Sequence, residues 1–336
     1  MGEQPTLKVA IIFNATGQPA KGEAIDRLAE AGVIDEVKAV ERALRQLNIQ
    51  FRTILVKNNI VDLVSELRTY DPRVVINLCE SVFGESHLEM SIPCLLELLR
   101  IPYTGSSSLS LGLCQNKGLA KDVLTAHGIP TPKYRVIFSG EEEISGLSYP
   151  LMVKPLREDA SIGISEESVV REDVELRTRV KYIRENYHQP ALVEEYIEGR
   201  ELNVAILGND PPQVLPISEI LFLNMGADQP KLVNYQAKWV EESDAYKSTK
   251  PVCPAPLAPL LRDLVASTAL KAYKVLGCRD YARIDIRLRD GVPYVLEANP
   301  NPDISPGVGF HRSLKAAGIA YEDFIRRLIN FALNRV

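Results

Sequence analysis

At 336 residues with 46% hydrophobic side chains, the chain is long enough for two or three packed units and too long for one compact core. Its 44 acidic and 39 basic side chains are interspersed and sum to −5, with no basic block to track a phosphate backbone, so no nucleic-acid partner is expected. No stretch approaches the roughly 18 consecutive apolar residues of a membrane helix, and the start Gly2-Glu3-Gln4-Pro5 lacks a signal-peptide core. Five scattered cysteines without a CxxC pair fit reduced thiols, so a cytoplasmic protein with no membrane association is expected. The loose acylation pattern from Gly2 to Thr6 is set aside, because Glu3 and Pro5 stand inside it.

Lys8 to Phe13 reads as a strand, and Val37, Val40, Leu44 and Leu47 follow at helical spacing. Phe51 to Val56, Val61 to Leu67 and Val74 to Leu78 repeat the alternation of strand and helix, which predicts parallel strands with crossover helices. A helical stretch after Tyr103-Thr104-Gly105-Ser106 carries Lys117 and Lys121 one turn apart and ends near Gly128 and Pro130. A smaller module then begins: Leu151 to Lys154, Ala191 to Ile197 and Glu201 to Leu207 read as strands, and Ala160-Ser161-Ile162-Gly163 as a small-residue turn. The remainder predicts a long helix from Leu260 to Leu276 stopped by Gly277, two strands, and a closing helix with Tyr321, Phe324, Ile325, Leu328 and Ile329 on one face.

The two late strands carry the chemistry. Tyr281 to Leu288 alternates strictly, with Ile284, Ile286 and Leu288 on one face and Arg283, Asp285 and Arg287 on the other. In Val292 to Asn299 the pattern assigns Val292, Tyr294, Leu296 and Ala298 to the apolar side, Glu297 and Asn299 to the polar one. A two-residue Asp290-Gly291 loop would oppose Asp285 to Leu296, whereas a three-residue loop pairs Leu288 with Val292 and Arg283 with Glu297; the longer loop is therefore expected. Asp285, Glu297 and Asn299 then converge beside Arg283, an oxygen-donor set suited to Mg²⁺. The competing reading is a solvated hairpin with surface ion pairs.

The run Tyr149-Pro150-Leu151-Met152-Val153-Lys154-Pro155, followed by Arg157-Glu158-Asp159-Ala160-Ser161-Ile162-Gly163, resembles the strand and phosphate loop of the D-alanine–D-alanine ligase family of ATP-grasp enzymes. The order of later motifs agrees: Leu192-Val193-Glu194-Glu195-Tyr196-Ile197, Gly199-Arg200-Glu201, Asn234-Tyr235-Gln236-Ala237-Lys238, Ala282-Arg283-Ile284-Asp285 and Leu296-Glu297-Ala298-Asn299. Upstream, Leu96 to Ser106 and Asn116-Lys117 look like the same family's first domain junction, so the resemblance runs from Asn77 onward.

The resemblance implies an α/β ATP-grasp fold of three domains. A Rossmann-like parallel sheet would occupy residues 1–110, and two α+β domains, a small one over 111–200 and a larger one over 201–336, would enclose ATP. It implies a ligase that activates a carboxylate as an acyl phosphate and joins it to an amine, using ATP and Mg²⁺ or Mn²⁺, with amino-acid-like small-molecule substrates and a possible homodimer. By resemblance, Lys117, Lys154, Ser161 and Gly163 would cradle phosphates, Glu194, Glu195 and Ile197 would meet adenine, and Glu201 would hold the ribose. Asp285, Glu297 and Asn299 would bind metal, while Arg283 and Lys238 would stabilise charge developing in the reaction. Glu80, Glu89, Asn301 and Asp303 are substrate-site candidates. Lys121 is taken as a surface lysine and left out of the site.

The pattern departs from the family on the substrate side. Ala160 stands where a second serine is usual, Trp239 where tyrosine follows Ala-Lys, and Asn299-Pro300-Asn301-Pro302-Asp303-Ile304-Ser305 replaces Asn-Thr-x-Pro-Gly-Met-Thr. The family's acidic N-terminal stretch is missing too, leaving Glu30 or Glu36 as stand-ins. A dehydrogenase lacks its glycine-rich turn at Asn14 to Pro19 and no Gly-Lys-Ser/Thr loop occurs, so the rival from another class is a nonenzymatic ATP-binding sensor.

Overall fold

A computed structural model describes residues 7–14, 27–57, 59–140, 142–226, 229–240 and 242–335, without the side chains of 27–31 and 239. The acylation pattern, the turn at 15–19, and the side chains of Glu30 and Trp239 lie outside the described residues. Among those described, no helix is long and apolar enough to cross a membrane.

Strands β1 (Lys8–Asn14), β2 (Gln50–Val56) and β3 (Val74–Leu78) form a parallel sheet in the order β2-β1-β3. Helices α1 (Arg27–Gln46) and α2 (Ile60–Tyr70) make the crossovers. A parallel sheet covered on both faces needs apolar residues at successive positions, which Val9-Ala10-Ile11-Ile12 supplies. Ala10 and Ile12 meet α2 through Leu63 and Leu67. Val9 and Ile11 face α1 and the two last helices, α10 (Gly309–Ala316) and α11 (Tyr321–Leu333). Phe310, Phe324 and Tyr281 stack edge-on or tilted there, with centroids 5.4 to 5.9 Å apart.

Between these ends lie α3 (Ser91–Leu98), α4 (Ser108–Gln115) and α5 (Lys117–Ala126). The amide side chain of Asn116 caps α5 by accepting the Leu119 N–H, so Lys117 opens the helix. A four-stranded antiparallel sheet follows, β4 (Tyr134–Ile137), β5 (Leu151–Pro155), β6 (Val169–Val170) and β7 (Ala191–Glu195), ordered β4-β7-β5-β6. Leu151, Val153, Ala191 and Val193 pack on α6 (Asp173–Tyr187), which by strand alternation turns Met152, Lys154, Leu192 and Glu194 to the opposite face.

The last sheet contains β8 (Arg200–Leu207), β9 (Gln213–Val214), β10 (Ser218–Phe222), β11 (Thr249–Val252), β12 (Tyr281–Arg289) and β13 (Val292–Asn299). Its order is β11-β10-β8-β12-β13, with β9 beside β8. Short helices α7 (Tyr235–Trp239) and α8 (Asp244–Lys247) precede β11, and α9 (Pro259–Val275) covers Leu202, Val204, Ile284, Ile286 and Val295.

The β12–β13 register differs from the expected one. The turn is the two-residue Asp290-Gly291, both at positive φ (50° and 78°), and Arg289 opposes Val292. Ile286 then opposes Val295, but the next pair is Asp285 with Glu297, so Leu296 is an extra residue in a β-bulge. The bulge resolves the conflict that the pattern posed for a short loop. Pro293 and Val295, not Val292 and Tyr294, join the core side, and beyond the bulge the phase reverses to bury Ala298 and turn Glu297 and Asn299 to the polar face.

The C-terminal helices thus complete the N-terminal core. Phe324→Ala should lower stability by about 3–5 kcal/mol, read as a fall in the urea midpoint with little change in slope.

Candidate active site

A cleft of about 450 Å³ opens between the polar faces of the two antiparallel sheets. Its floor is set by strand register. Asp285 lies across from Asn203 of β8 on one side and Glu297 of β13 on the other, while Arg287 lies across from Glu201. Asp285 accepts from Arg283 through Nε and Nη2, both at 2.8 Å, from Asn203 Nδ2 at 2.7 Å and from Asn299 Nδ2 at 3.1 Å. Arg287 pairs with Glu201 at 2.5 Å and donates to the Gly199 carbonyl.

Glu297 sits in a ring of cations. Burial works against its ionisation, but Lys117, Lys154, Arg283 and Lys238 hold its carboxyl down to about 2. Asp285 and the burial of Arg283 act oppositely on the guanidinium, and the carboxylate prevails, raising it above its ordinary value. Burial and Arg283 lower the Lys238 ammonium, which is carried by α7 into the cleft wall.

The donor set fits a hard cation: Asp285 and Glu297 face each other across one strand pair, with the Asn299 amide adjoining. Among the described residues no group of three or more His, Cys, Asp and Glu is gathered for a metal, so such a site rests on this pair and the amide.

The opposite wall belongs to the small sheet. Lys154 and Glu194 form an ion pair of 2.8 Å, and Lys121 reaches Glu194 from α5 at 2.7 Å. Lys121 is 1% exposed, which overturns its reading as a surface lysine: helix α5 turns it inward between the sheets. Glu194, 3% exposed, is correspondingly no solvated residue. Lys117 pairs with Asp159 at 2.9 Å and stands 3.9 Å from Glu297.

The loop after β5 is bent by consecutive left-handed residues, Ala160 (φ 54°) and Ser161 (φ 64°), followed by Gly163 at 72°. Such conformations are strained for residues bearing a Cβ and persist where surroundings fix them. Here Ser161 Oγ donates to the Val233 carbonyl at 3.0 Å, and the buried Arg179 donates to the Gly163 carbonyl at 2.6 Å. A Cβ at Gly163 would lie 2.6 Å from Pro155, so glycine is needed for close approach as well as for its φ.

Lys154, Ser161, Glu194, Glu195, Ile197, Glu201, Lys238, Arg283, Asp285, Glu297 and Asp303 all line the cleft. Lys117 and Asn299 stand behind it, joined to Glu297 and Asp285 respectively. Gly163 supports the loop, and Glu195 also accepts the Ser148 N–H at 3.2 Å. Asn301 Oδ1 accepts the Ser106 N–H at 2.9 Å, and a Cβ on Gly105 would fall 2.4 Å from that oxygen. Asp303 accepts from Ser305 N at 2.7 Å as a turn residue does, while also lining the cleft. Glu36 of α1 is buried and accepts the Ile304 N–H at 3.0 Å; burial, then Asp303 and Glu80, push its carboxyl well up. Burial, then Asp159 and Glu80, do the same to Glu89.

Sequence reasoning missed Asn203, Arg287 and Lys121. The first two share the alternating faces of Glu201 and Asp285, and Lys121 follows Lys117 by one helical turn, so each had a periodic signal.

Two sheets closing on a cleft that brings Lys154, Lys238 and Arg283 over opposed carboxylates match the ATP-grasp class of ATP-dependent carboxylate–amine ligases. The family model for the D-ala D-ala ligase C-terminus matches residues 123–330, and the chain belongs to this family. An uncharacterised protein, y4sG, of Sinorhizobium fredii is 37% identical over 263 residues, 78% of this chain and 75% of that protein. The D-alanine–D-alanine ligase of Carboxydothermus hydrogenoformans is 35% identical over 265 residues, covering 75% of this chain and 80% of the relative. A crystal structure of D-alanine–D-alanine ligase from Bacillus anthracis complexed with ATP superposes with a TM-score of 0.78 at 25% identity, covering 99% of this chain and 98% of the other.

A glutamate depressed on folding adds stability that is fully present above its unfolded value of about 4.3 and drains away as pH falls toward the folded one. Glu297→Gln should therefore flatten the acid limb of the melting-temperature profile between about pH 5 and about pH 2. An unchanged limb would mean that the surrounding cations do not hold this carboxylate.

Proposed function

We propose that the protein joins two amino-acid-like substrates, one giving a carboxylate and the other an amine, at the cost of one ATP, and that the carboxylate passes through an acyl phosphate. The observation that carries this reading is Asp285 opposed to Glu297 across the bulged strand pair, with Arg283 beside them and Lys154 in the facing wall. An enzyme of this class must offset charge at the transferred phosphoryl group and then at the tetrahedral centre.

Lys117 and Lys154 would neutralise the phosphates, and the backbone of the 160–163 loop would cover them. The chain leaving β7 at Glu195 to Ile197, with Glu194 behind it, would receive the adenine, and Glu201 the ribose hydroxyls. Asp285, Glu297 and Asn299 would hold Mg²⁺ or Mn²⁺, which supplies Lewis-acid charge when bound. Lys238 would offset charge as the substrate carboxylate attacks, and Arg283 would steady the oxyanion when the amine attacks the activated carbonyl. Ser161, bonded to Val233, lets the loop bridge the cleft and exclude the water that would otherwise hydrolyse the activated carboxylate.

D-alanine is the first substrate to test, since relatives carry it in their names. Asp303, which lines the cleft, and the buried Glu36, which accepts the N–H of the next residue, Ile304, support a substrate pocket there with an altered acceptor side, which Glu80, Glu89 and Asn301 would border. Units 1–110, 111–200 and 201–336, a cytoplasmic location, a homodimer and the absence of nucleic-acid partners complete the proposal.

Purified protein given Mg²⁺, ATP and paired amino acids, D-alanine included, should release phosphate and ADP only when amino acid and metal are both present, with the amide found by mass. Binding of ATP without turnover under any pairing would favour the sensor. Asp285→Asn and Glu297→Gln should each abolish turnover while leaving the melting behaviour near neutral pH folded and cooperative; wild-type rates in both would refute the metal assignment.

A further inference from the structure

The buried lysine that the reaction leaves unused is Lys121. It does not line the cleft, yet it is nearly inaccessible and pairs with Glu194, whose other oxygen pairs with Lys154. With each group ionised, this triad of two ammonium groups and one carboxylate carries a single net positive charge. Burial raises and the two lysines lower the Glu194 carboxyl, and the lysines prevail, so it is held in its charged form. If Glu194 had only Lys154 for a partner, the pair would be neutral, and a cleft-lining cation would be cancelled in a region where charge is weakly screened.

Lys121 also reaches the other sheet. Its Nζ donates to Thr131 Oγ1 at 2.8 Å, and that hydroxyl donates to the Val295 carbonyl at 2.8 Å. Val295 N–H returns a bond of 2.8 Å to the Pro130 carbonyl. Val295 directly precedes the bulged Leu296, so the clasp grips β13 two residues from Glu297.

We propose that Lys121 is a positioning residue for polyphosphate binding: by taking one oxygen of Glu194 it leaves the charge of Lys154 available to the phosphates, and through Thr131 it ties that wall to the strand carrying Glu297. This rests on the nucleotide reading of the cleft and adds a residue that touches no substrate.

The test is calorimetric binding of ATP, ADP and adenosine, with Mg²⁺, to the full-length protein. Lys121→Met should weaken ATP and ADP about tenfold or more while leaving adenosine within about twofold, because only phosphates sense the lost charge. Lys121→Gln, which keeps hydrogen-bonding capacity without charge, should show the same selective loss and serves if the methionine variant does not fold. Lys121→Met combined with Glu194→Gln restores one net positive charge, so the ratio of ATP to adenosine affinity should return toward that of the wild type. Equal losses for adenosine and ATP, or a double variant no better than the single one in that ratio, would overturn the positioning role alone. Wild-type protein that binds neither ATP nor ADP would overturn the nucleotide site itself.

Discussion

One inserted residue sets the phase of the metal-proposed strand. A tight turn at Asp290-Gly291 fixes where β13 begins, and alternation alone would then send Glu297 and Asn299 into the apolar layer against α9. Leu296 bulges out of the ladder and reverses the phase, so both polar side chains face the cleft while Val295 and Ala298 stay in the core. The opposition of Asp285 to Glu297, and with it the carboxylate floor of the cleft, depends on this step.

Around that floor the charges are arranged before any ligand arrives. Lys117 with Asp159, Lys154 with Glu194, Arg283 with Asp285 and Arg287 with Glu201 are ion pairs formed within the protein. Buried pairs of this kind contribute little to stability once desolvation is counted, but they fix long side chains in place. A ligand phosphate or cation would exchange partners in an organised lattice of charges instead of ordering loose chains, which limits the reorganisation needed during the reaction.

Much of this was legible in the sequence because strand alternation is a local property. The strict pattern from Tyr281 to Leu288 identified the polar face carrying Arg283 and Asp285, and the motif order gave the fold and family. The bulge was not legible in the same way: its trace was an apolar Leu296 at what became a cleft-facing position, and the pattern could be satisfied equally by a longer loop. Lys121 escapes a sequence reading because a lysine in a helix reads as solvent-facing until the packing of that helix is known. Glu36 takes its place through the amide of Ile304, 268 residues further along, a contact that no window of sequence contains.

The first sheet is also sealed by the last helices. Val9, Ile11, Val74 and Ile76 belong to the same apolar cluster as Phe310, Phe324, Ile325 and Leu328. During vectorial synthesis strands β1 to β3 must therefore wait, one greasy face covered only in part by α1, until α10 and α11 have emerged. Removal of α11 would consequently injure the sheet of β1 to β3 first, far along the chain from the cut.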